Sequence, residues 1–165
     1  MTTTKMTMGI DQSYTSTGIV IKNDNGDVVH DELIMTTKDK DDYYTNFVRA
    51  EEISNKVIEI AVAELVTHVN IEGLGFGATG DATRNLAGLQ YLIITKLLNI
   101  GLKPTIVAPT SLKKFATGSG KAKKTEVFDA IEAHNPTYFV KLSKVLKTKG
   151  RYDLADAYWL AVWDS

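Results

Sequence analysis

The fold is set largely by residues 5–34, which read KMTMGIDQSYTSTGIVIKNDNGDVVHDELI. Its three strand-like runs are residues 5–11, 17–22 and 27–34. The first run alternates loosely and ends at an acid, and the second is rich in β-branched residues, which favour strands. Between the second and third runs stands Asn25-Gly26, a strong signal for a hairpin turn. The pattern predicts an antiparallel meander of three strands.

After this meander, helical and strand-like periodicities alternate along the chain. Helices are predicted at 43–68, 82–100, 125–134 and 153–164, strands at 69–72 and 104–108, a lysine-rich segment at 109–124 and a basic, irregular stretch at 135–150. The second helix has Gly101 as a plausible stop. The predicted order is β-β-β-α-β-α-β-α-α, an α/β protein with helices on the faces of a mixed five-stranded sheet. Residues 1–165 are expected to form one domain, since no linker or repeat interrupts them.

Composition limits the chemistry that the chain can support. There is no cysteine, which excludes disulfides, thiolate metal sites and thiol catalysis. The three histidines are scattered without zinc-site spacing, so a metal here would be a hard cation held by carboxylates. No run approaches the ~18 apolar residues of a membrane helix, and no signal-peptide pattern is present. We therefore expect a cytoplasmic protein without a membrane partner.

Charge is distributed unevenly although the net charge is only −1. Residues 1–100 carry a net charge of −6, whereas residues 101–151 hold 11 Lys and Arg against three acids, a net charge of +8. A basic third within a neutral chain can bind phosphate groups. A lysine-rich solvated surface explains the same distribution equally well.

Four acids stand out by their surroundings. Asp11 and Glu72 each follow an apolar strand, where a lone carboxylate is either a surface cap or costly to bury. Asp153 and Asp156 are spaced i, i+3 on one face of an otherwise apolar helix, so their charges repel each other. Asp153 alone would fit a helix cap, but Asp156 lies further inside the helix. A divalent cation would resolve the repulsion, and two such ions can drive phosphodiester hydrolysis.

These motifs, in this order and spacing, resemble the RuvC family of Holliday junction resolvases in the RNase H-like/retroviral-integrase superfamily. The resemblance spans essentially the whole chain and is carried by Gly9-Ile10-Asp11, Ser16-Thr17-Gly18-Ile19-Val20, Val69-Asn70-Ile71-Glu72 and Asp153-Leu154-Ala155-Asp156-Ala157. It implies that Asp11, Glu72, Asp153 and Asp156 are the metal-binding and catalytic acids, with two Mg²⁺ per site that Mn²⁺ can replace. It also implies a homodimer that contacts through the helix at 82–100.

The resemblance extends to DNA-binding positions. It implies that Lys113 and Lys124 lie beside the scissile phosphate, with Lys124 also catalytic, whereas Lys114, Lys121 and Lys123 would contact the DNA backbone. Phe76, in a glycine-rich loop after Glu72, would stack on or wedge between bases, or else anchor the loop to the core. One departure is Gln12-Ser13-Tyr14, where the family usually has Pro-Gly. This divergent loop and the short chain favour a phage-type member.

The function predicted from these features is structure-selective cleavage of four-way and other branched DNA in recombination and repair. A pre-rRNA-processing nuclease of the YqgF type could share the fold and the acids. A catalytically silent junction-binding module is a further alternative, although a pure DNA binder gains nothing from four acids facing phosphate. An actin- or hexokinase-like ATP-binding fold also opens with a Gly-Ile-Asp strand, but it needs a second domain and phosphate loops that this chain lacks.

Overall fold

A computed structural model describes residues 2–75, 77–145 and 148–164. Its centre is a five-stranded sheet in the order β3-β2-β1-β4-β5. The strands are β1 (Met6–Asp11), β2 (Ser16–Asn23), β3 (Val28–Met35), β4 (His68–Glu72) and β5 (Thr105–Val107). β1 to β3 are antiparallel, and β4 and β5 continue the sheet in parallel from β1. The predicted meander and the mixed sheet are confirmed.

The hairpin between β2 and β3 forms where Asn25-Gly26 predicts it. Gly26 has a φ of +91°, a left-handed conformation that glycine adopts without a steric cost. The turn is closed by backbone hydrogen bonds from Asn23 to Asp27 (3.0 Å) and from Gly26 to Asn23 (3.2 Å).

Helices cover both faces of the sheet. They are α1 (Thr45–Ala63), α2 (Asp81–Asn99), α3 (Pro109–Thr117), α4 (Lys124–His134), α5 (Pro136–Ser143) and α6 (Thr148–Val162). Alternate residues of β1 point to opposite faces. Met8 and Ile10 join an aliphatic core beneath α1 and α2. Gly9 faces α6, which packs with α3, α4 and α5 in a second core that contains most of the buried aromatic rings.

Two helices were not predicted, and the last helix begins earlier than predicted. The lysine-rich segment at 109–124 contains α3, and the stretch at 135–150 predicted to be irregular contains α5 and the start of α6. Both short helices begin with a proline, which suits the first helical position. They escape the periodicity analysis because each spans only two or three turns and buries one or two side chains.

The early start of α6 changes the setting of the paired aspartates. α6 begins at Thr148, so Asp153 lies in its second turn and not at a cap, as sequence alone allowed. Neither acid lies in the first turn of the helix, where the helix dipole would stabilise a negative charge most strongly. A helix-capping role therefore does not explain the presence of Asp153.

Several apolar side chains of the first two helices and of the turn after α1 are exposed. Phe47 of α1 and Tyr91 of α2 match the helical periodicity of the apolar face, yet their exposed fractions are 69% and 76%. Leu65, assigned to the first helix, lies beyond its end and is 77% exposed. Tyr91 and Leu98 leave exposed apolar surface on the outer side of α2. None of the helices among the described residues is long and apolar enough to cross a membrane.

Candidate active site

Two of the four acids meet at one edge of the sheet. Asp11 is the last residue of β1 and Glu72 is the last residue of β4. These strands are parallel neighbours, with Ile10 opposite Ile71 in register. Because the carboxyl ends of adjacent parallel strands lie at the same edge, the two carboxylates are brought together although 61 residues separate them in sequence.

Helix α6 brings the other two acids onto the same edge because it lies unusually close to the sheet. A side chain at Gly9 would overlap the carbonyl oxygen of Ala157 and lie 2.5 Å from the nitrogen of Ala161. A side chain at Gly18 would come 2.8 Å from the carbonyl carbon of Asp153. Glycine at both positions lets the backbone of α6 rest directly on β1 and β2, which sets the height of its acids above the sheet.

Asn70 fixes the other end of this helix. Its side-chain amide donates hydrogen bonds to the carbonyl oxygens of Leu160 (2.7 Å) and Trp163 (3.1 Å). The free carbonyls at a helix C-terminus need such partners. Asn70 lies two residues before Glu72 on β4, and side chains two apart share a strand face. The strand that carries one acid therefore also anchors the helix that carries another.

Three of the four carboxylates form one compact group. Oxygen atoms of Asp11, Glu72 and Asp156 all lie within 4.8 Å of one another, each on a partly buried side chain. Asp153 does not belong to this group. Its side chain is 7% exposed, and its Oδ2 atom is buried with no hydrogen-bond partner among the described residues.

Burial raises the pKa of all four acids, and repulsion by neighbouring carboxylates adds to the rise for Asp11 and Asp156. Desolvation raises the pKa of Asp11 well above its usual value, and the neighbouring charges of Glu72 and Asp156 raise it further. Burial and the charge of Glu72 raise the pKa of Asp156 to about 7. Desolvation also raises the pKa of Glu72, although a hydrogen bond with Asp11 opposes the rise. The pKa of Asp153 is raised by burial and lowered by the side chain of Ser16.

Lysines from three helices face the four acids. Lys124, the first residue of α4, and Lys113 of α3 both lower the pKa values of Glu72 and Asp156 through their charge. Lys149, one turn before Asp153 on α6, lowers the pKa of Asp153. Lys113 and Lys124 were predicted as individual site residues, whereas Lys149 was placed only in the basic stretch that leads into the last helix. Its i, i+4 spacing to Asp153 is the signal that would have identified it.

The other predicted DNA-binding residues are placed less specifically. Lys114, Lys121 and Lys123 are exposed, and they are not among the main influences on the pKa values of the four acids. Phe76 lies outside the described residues, so its predicted role beside the bases stays a prediction.

Two of the basic residues between positions 141 and 151 stabilise the fold. Lys141 forms an ion pair with Asp31 at 2.7 Å. Arg151 donates hydrogen bonds to the carbonyl oxygens of Ser143 (2.9 Å) and Val145 (3.1 Å) and lies over the ring of Phe128. These two residues hold α5 and the chain up to Val145 in place.

The donor set of the acidic group suits a hard divalent cation. Carboxylate oxygens are the ligands that Mg²⁺ prefers, usually one or two together with water and substrate phosphate. Three carboxylates with raised pKa values repel one another, and a cation between them would remove that repulsion. The residues present therefore fit such an ion.

Comparisons with known proteins give structural matches alone. No protein-family model and no curated protein sequence matches the chain. Thermus thermophilus RuvC in complex with a Holliday junction substrate superposes with a TM-score of 0.73 at 19% identity, over 96% of this chain and 91% of that one. Ydc2, the yeast mitochondrial Holliday junction resolvase, gives 0.64 at 12% identity over 94% and 75%.

A viral protein shares the architecture too. The fowlpox virus resolvase, solved with substrate Holliday junction DNA, gives a TM-score of 0.58 at 16% identity, over 95% of this chain and 94% of that one. At such identities a structural likeness establishes the fold, and it confirms the RNase H-like fold predicted from the sequence. The chain thus has the same fold as RuvC and the yeast and poxvirus Holliday junction resolvases.

Proposed function

We propose that this protein is a structure-selective endodeoxyribonuclease that resolves four-way and other branched DNA junctions by Mg²⁺-dependent hydrolysis. The observation that carries the proposal is the convergence of Asp11, Glu72 and Asp156 within 4.8 Å at one edge of the sheet. The fold adds support, because it is shared with three junction resolvases.

The acids divide into two roles in this proposal. Asp11, Glu72 and Asp156 would hold the principal cation, and Asp153 would offer its unpartnered buried oxygen to a second one. Mg²⁺ bound there, or Mn²⁺ in its place, supplies activation of the attacking water and stabilisation of the leaving oxygen. Without a cation the group keeps one or more protons near neutral pH, since the pKa of Asp156 is raised to about 7.

The lysines act on the substrate. Lys113 and Lys124 face the acidic group and would stabilise the negative charge that builds up on the phosphate during cleavage. Lys114, Lys121 and Lys123 are exposed on the same basic segment and would contact the DNA backbone through salt-dependent interactions. Phe76 keeps its predicted role as a base-stacking residue in the loop after Glu72.

We also propose a homodimer with two-fold symmetry. A four-way junction is itself two-fold symmetric, and cutting two strands symmetrically calls for two active sites related by the same axis. The exposed Tyr91 and Leu98 of α2 give this helix an apolar outer side suited to a second copy. The cytoplasmic location predicted from the sequence stays a prediction.

The test is cleavage of a labelled four-way junction beside a matched linear duplex, a flap and a structured RNA, each with Mg²⁺ and with EDTA. Wild type is compared with Asp11→Asn and Asp153→Asn, and with Asp129→Asn as a control for an exposed aspartate on α4. We expect paired, symmetric nicks in the junction that require Mg²⁺. Both acid variants should lose roughly 10³-fold or more in rate, and the control should keep wild-type activity.

Other outcomes point to other functions. Cleavage of RNA alone would assign the protein to the rRNA-processing alternative, and equal cutting of flaps would widen the substrate class to branched DNA in general. Tight junction binding without cleavage in any metal would leave a binding module and overturn the proposed mechanism.

A further inference from the structure

Two glutamine side chains hold the backbone of Glu72. The amide of Gln12 donates a hydrogen bond to the Glu72 carbonyl oxygen at 3.1 Å, and the amide of Gln90 donates to the same oxygen at 2.9 Å. Both glutamines are buried, with exposed fractions of 6% and 9%. One carbonyl oxygen therefore accepts from two side chains that come from different parts of the chain.

The position of this contact matters because the sheet ends there. Backbone pairing between β1 and β4 stops at Ile10 and Ile71, so the Gln12 side chain continues the link between these strands one step further. On the other side of β4, the backbone nitrogen of Gly73 donates to Val107 at 2.7 Å. The peptide of Glu72 is thus held from both neighbouring strands at the point where the chain leaves the sheet.

Each glutamine connects Glu72 to a different element of the site. Gln12 directly follows Asp11, so one side chain joins the two strand ends that carry two acids of the group. Gln90 lies in the middle of α2 and joins that helix to the same point. Asp11, Gln12 and Glu72 also line a common cavity of about 210 Å³ beside Gly73 and Pro109.

Stability alone does not account for glutamine at position 12. Its side-chain oxygen is buried and has no hydrogen-bond partner among the described residues. A buried polar atom without a partner carries a desolvation cost that an apolar side chain of similar size would avoid. The amide donor that reaches Glu72 is the feature that an apolar side chain could not supply.

We propose that Gln12 and Gln90 are positioning residues that fix the Glu72 carboxylate for cation binding through its backbone carbonyl. The inference rests on the proposed function only in taking Glu72 as a metal ligand. Residues that orient metal ligands typically contribute about 10- to 100-fold to metal affinity. In this chain the orienting bonds act through the ligand's own peptide.

The test measures Mn²⁺ affinity directly, by electron paramagnetic resonance of the free ion, for wild type and for the near-isosteric variants Gln12→Met and Gln90→Met. We expect each single variant to bind Mn²⁺ about tenfold more weakly, and the double variant to be weaker still by up to about 100-fold in total. In junction cleavage, raising the Mg²⁺ concentration should restore most of the rate lost by each single variant.

The matched control is Tyr14→Phe. The Tyr14 hydroxyl donates to the carbonyl oxygen of Asn85 at 2.8 Å, so it also ties the loop after β1 to α2, but it does not contact Glu72. This variant should keep wild-type Mn²⁺ affinity even if it lowers the melting temperature. A purely structural role for the glutamines would instead lower the melting temperature in all variants and leave Mn²⁺ affinity unchanged.

The outcomes separate this inference from the proposed function. Wild-type Mn²⁺ affinity in the folded double variant would overturn the inference, and junction cleavage by wild type would still support the function. Weakened Mn²⁺ binding in the variants of a protein that cuts no junction would support the positioning role and overturn the function.

Discussion

The two faces of the central sheet are built on different principles. Beneath α1 and α2 the sheet presents Met8, Ile10 and other buried aliphatic side chains, as in an ordinary hydrophobic core. On the α6 face the same strands present Gly9, Gly18 and carboxylates, and the helix backbone lies directly on the sheet. One face supplies stability through apolar burial, and the other gives up part of that burial to bring charged groups together.

This comparison predicts different sensitivities to small changes on β1. Gly9→Ala should destabilise the protein by roughly 3 kcal/mol, because the added methyl group overlaps the backbone of Ala157 and must push α6 off the sheet. Ile10→Val, the neighbouring change on the opposite face, should cost only about 1 kcal/mol. Urea denaturation measures both values.

The effect on function should differ even more than the effect on stability. Displacement of α6 separates Asp156 from Asp11 and Glu72, so Gly9→Ala should abolish cleavage under conditions where the variant is still folded. Ile10→Val should cleave normally. Equal and small effects of the two variants would show that α6 tolerates a shift, which would contradict the contrast between the faces.

The buried carboxylates on the α6 face of the sheet should make the stability of the protein depend on pH. The pKa of Asp156 is about 7 in the folded chain and near 3.8 when unfolded. Between these values the folded state binds more protons than the unfolded state, so the stability of the metal-free protein should fall as pH rises from about 4 to 7. The raised pKa values of Asp11 and Glu72 act in the same direction.

Asp156→Asn removes the part of this pH dependence that arises from Asp156 itself. At pH 8 without metal, the variant should be more stable than wild type by on the order of 2 kcal/mol, and its stability should change less with pH. Added Mg²⁺ should stabilise wild type more than the variant. A metal-free wild type that becomes more stable between pH 5 and 8 would contradict the electrostatic explanation.

The smallest predicted effect separates two lysines of the basic segment. Lys124→Met should lower the single-turnover cleavage rate about tenfold, which corresponds to about 1.4 kcal/mol of transition-state stabilisation. Lys121→Met, an exposed neighbour that is not among the main influences on the pKa of Asp156, should weaken junction binding and leave the rate at saturating protein nearly unchanged. Equal rate losses in both variants would show that proximity to the acids is not what distinguishes Lys124.

The accuracy of the sequence-based predictions follows from how local each signal is. The predictions were correct for the hairpin at Asn25-Gly26, for the existence of the long helices α1 and α2, and for the succession of the five strands along the chain. Each of these features depends on periodicity or turn chemistry within a short window. The helices α3 and α5 were missed because each is only eight or nine residues long and buries only one or two side chains. Phe47 and Tyr91 match the apolar periodicity of their helices, but tertiary packing leaves them exposed.

In the candidate site, too, the residues with a local sequence signal were predicted and those that depend on tertiary contacts were not. All four acids were selected from the sequence because each lies in an apolar setting that makes a carboxylate conspicuous. Gln12, Gln90 and Asn70 were not assigned a role. In a sequence, an amide side chain that donates a hydrogen bond to a distant backbone carbonyl cannot be distinguished from any other polar side chain. Gly9 and Gly18 were recognised as parts of a motif, but their close contact with α6 became evident only in three dimensions.

The sequence by itself determined the class of fold, the inventory of carboxylates and the exclusion of thiolate metal chemistry, because these depend on residue identity and short-range periodicity. Only the tertiary structure decided that Asp11, Glu72 and Asp156 come within 4.8 Å, that Asp153 stands apart, and that Lys149 joins Lys113 and Lys124 around them. The physical reason is that these distances depend on how closely α6 can approach the sheet. That approach is set by the packing of residues up to about 150 positions apart, such as Gly9 and Ala161, and not by any local pattern.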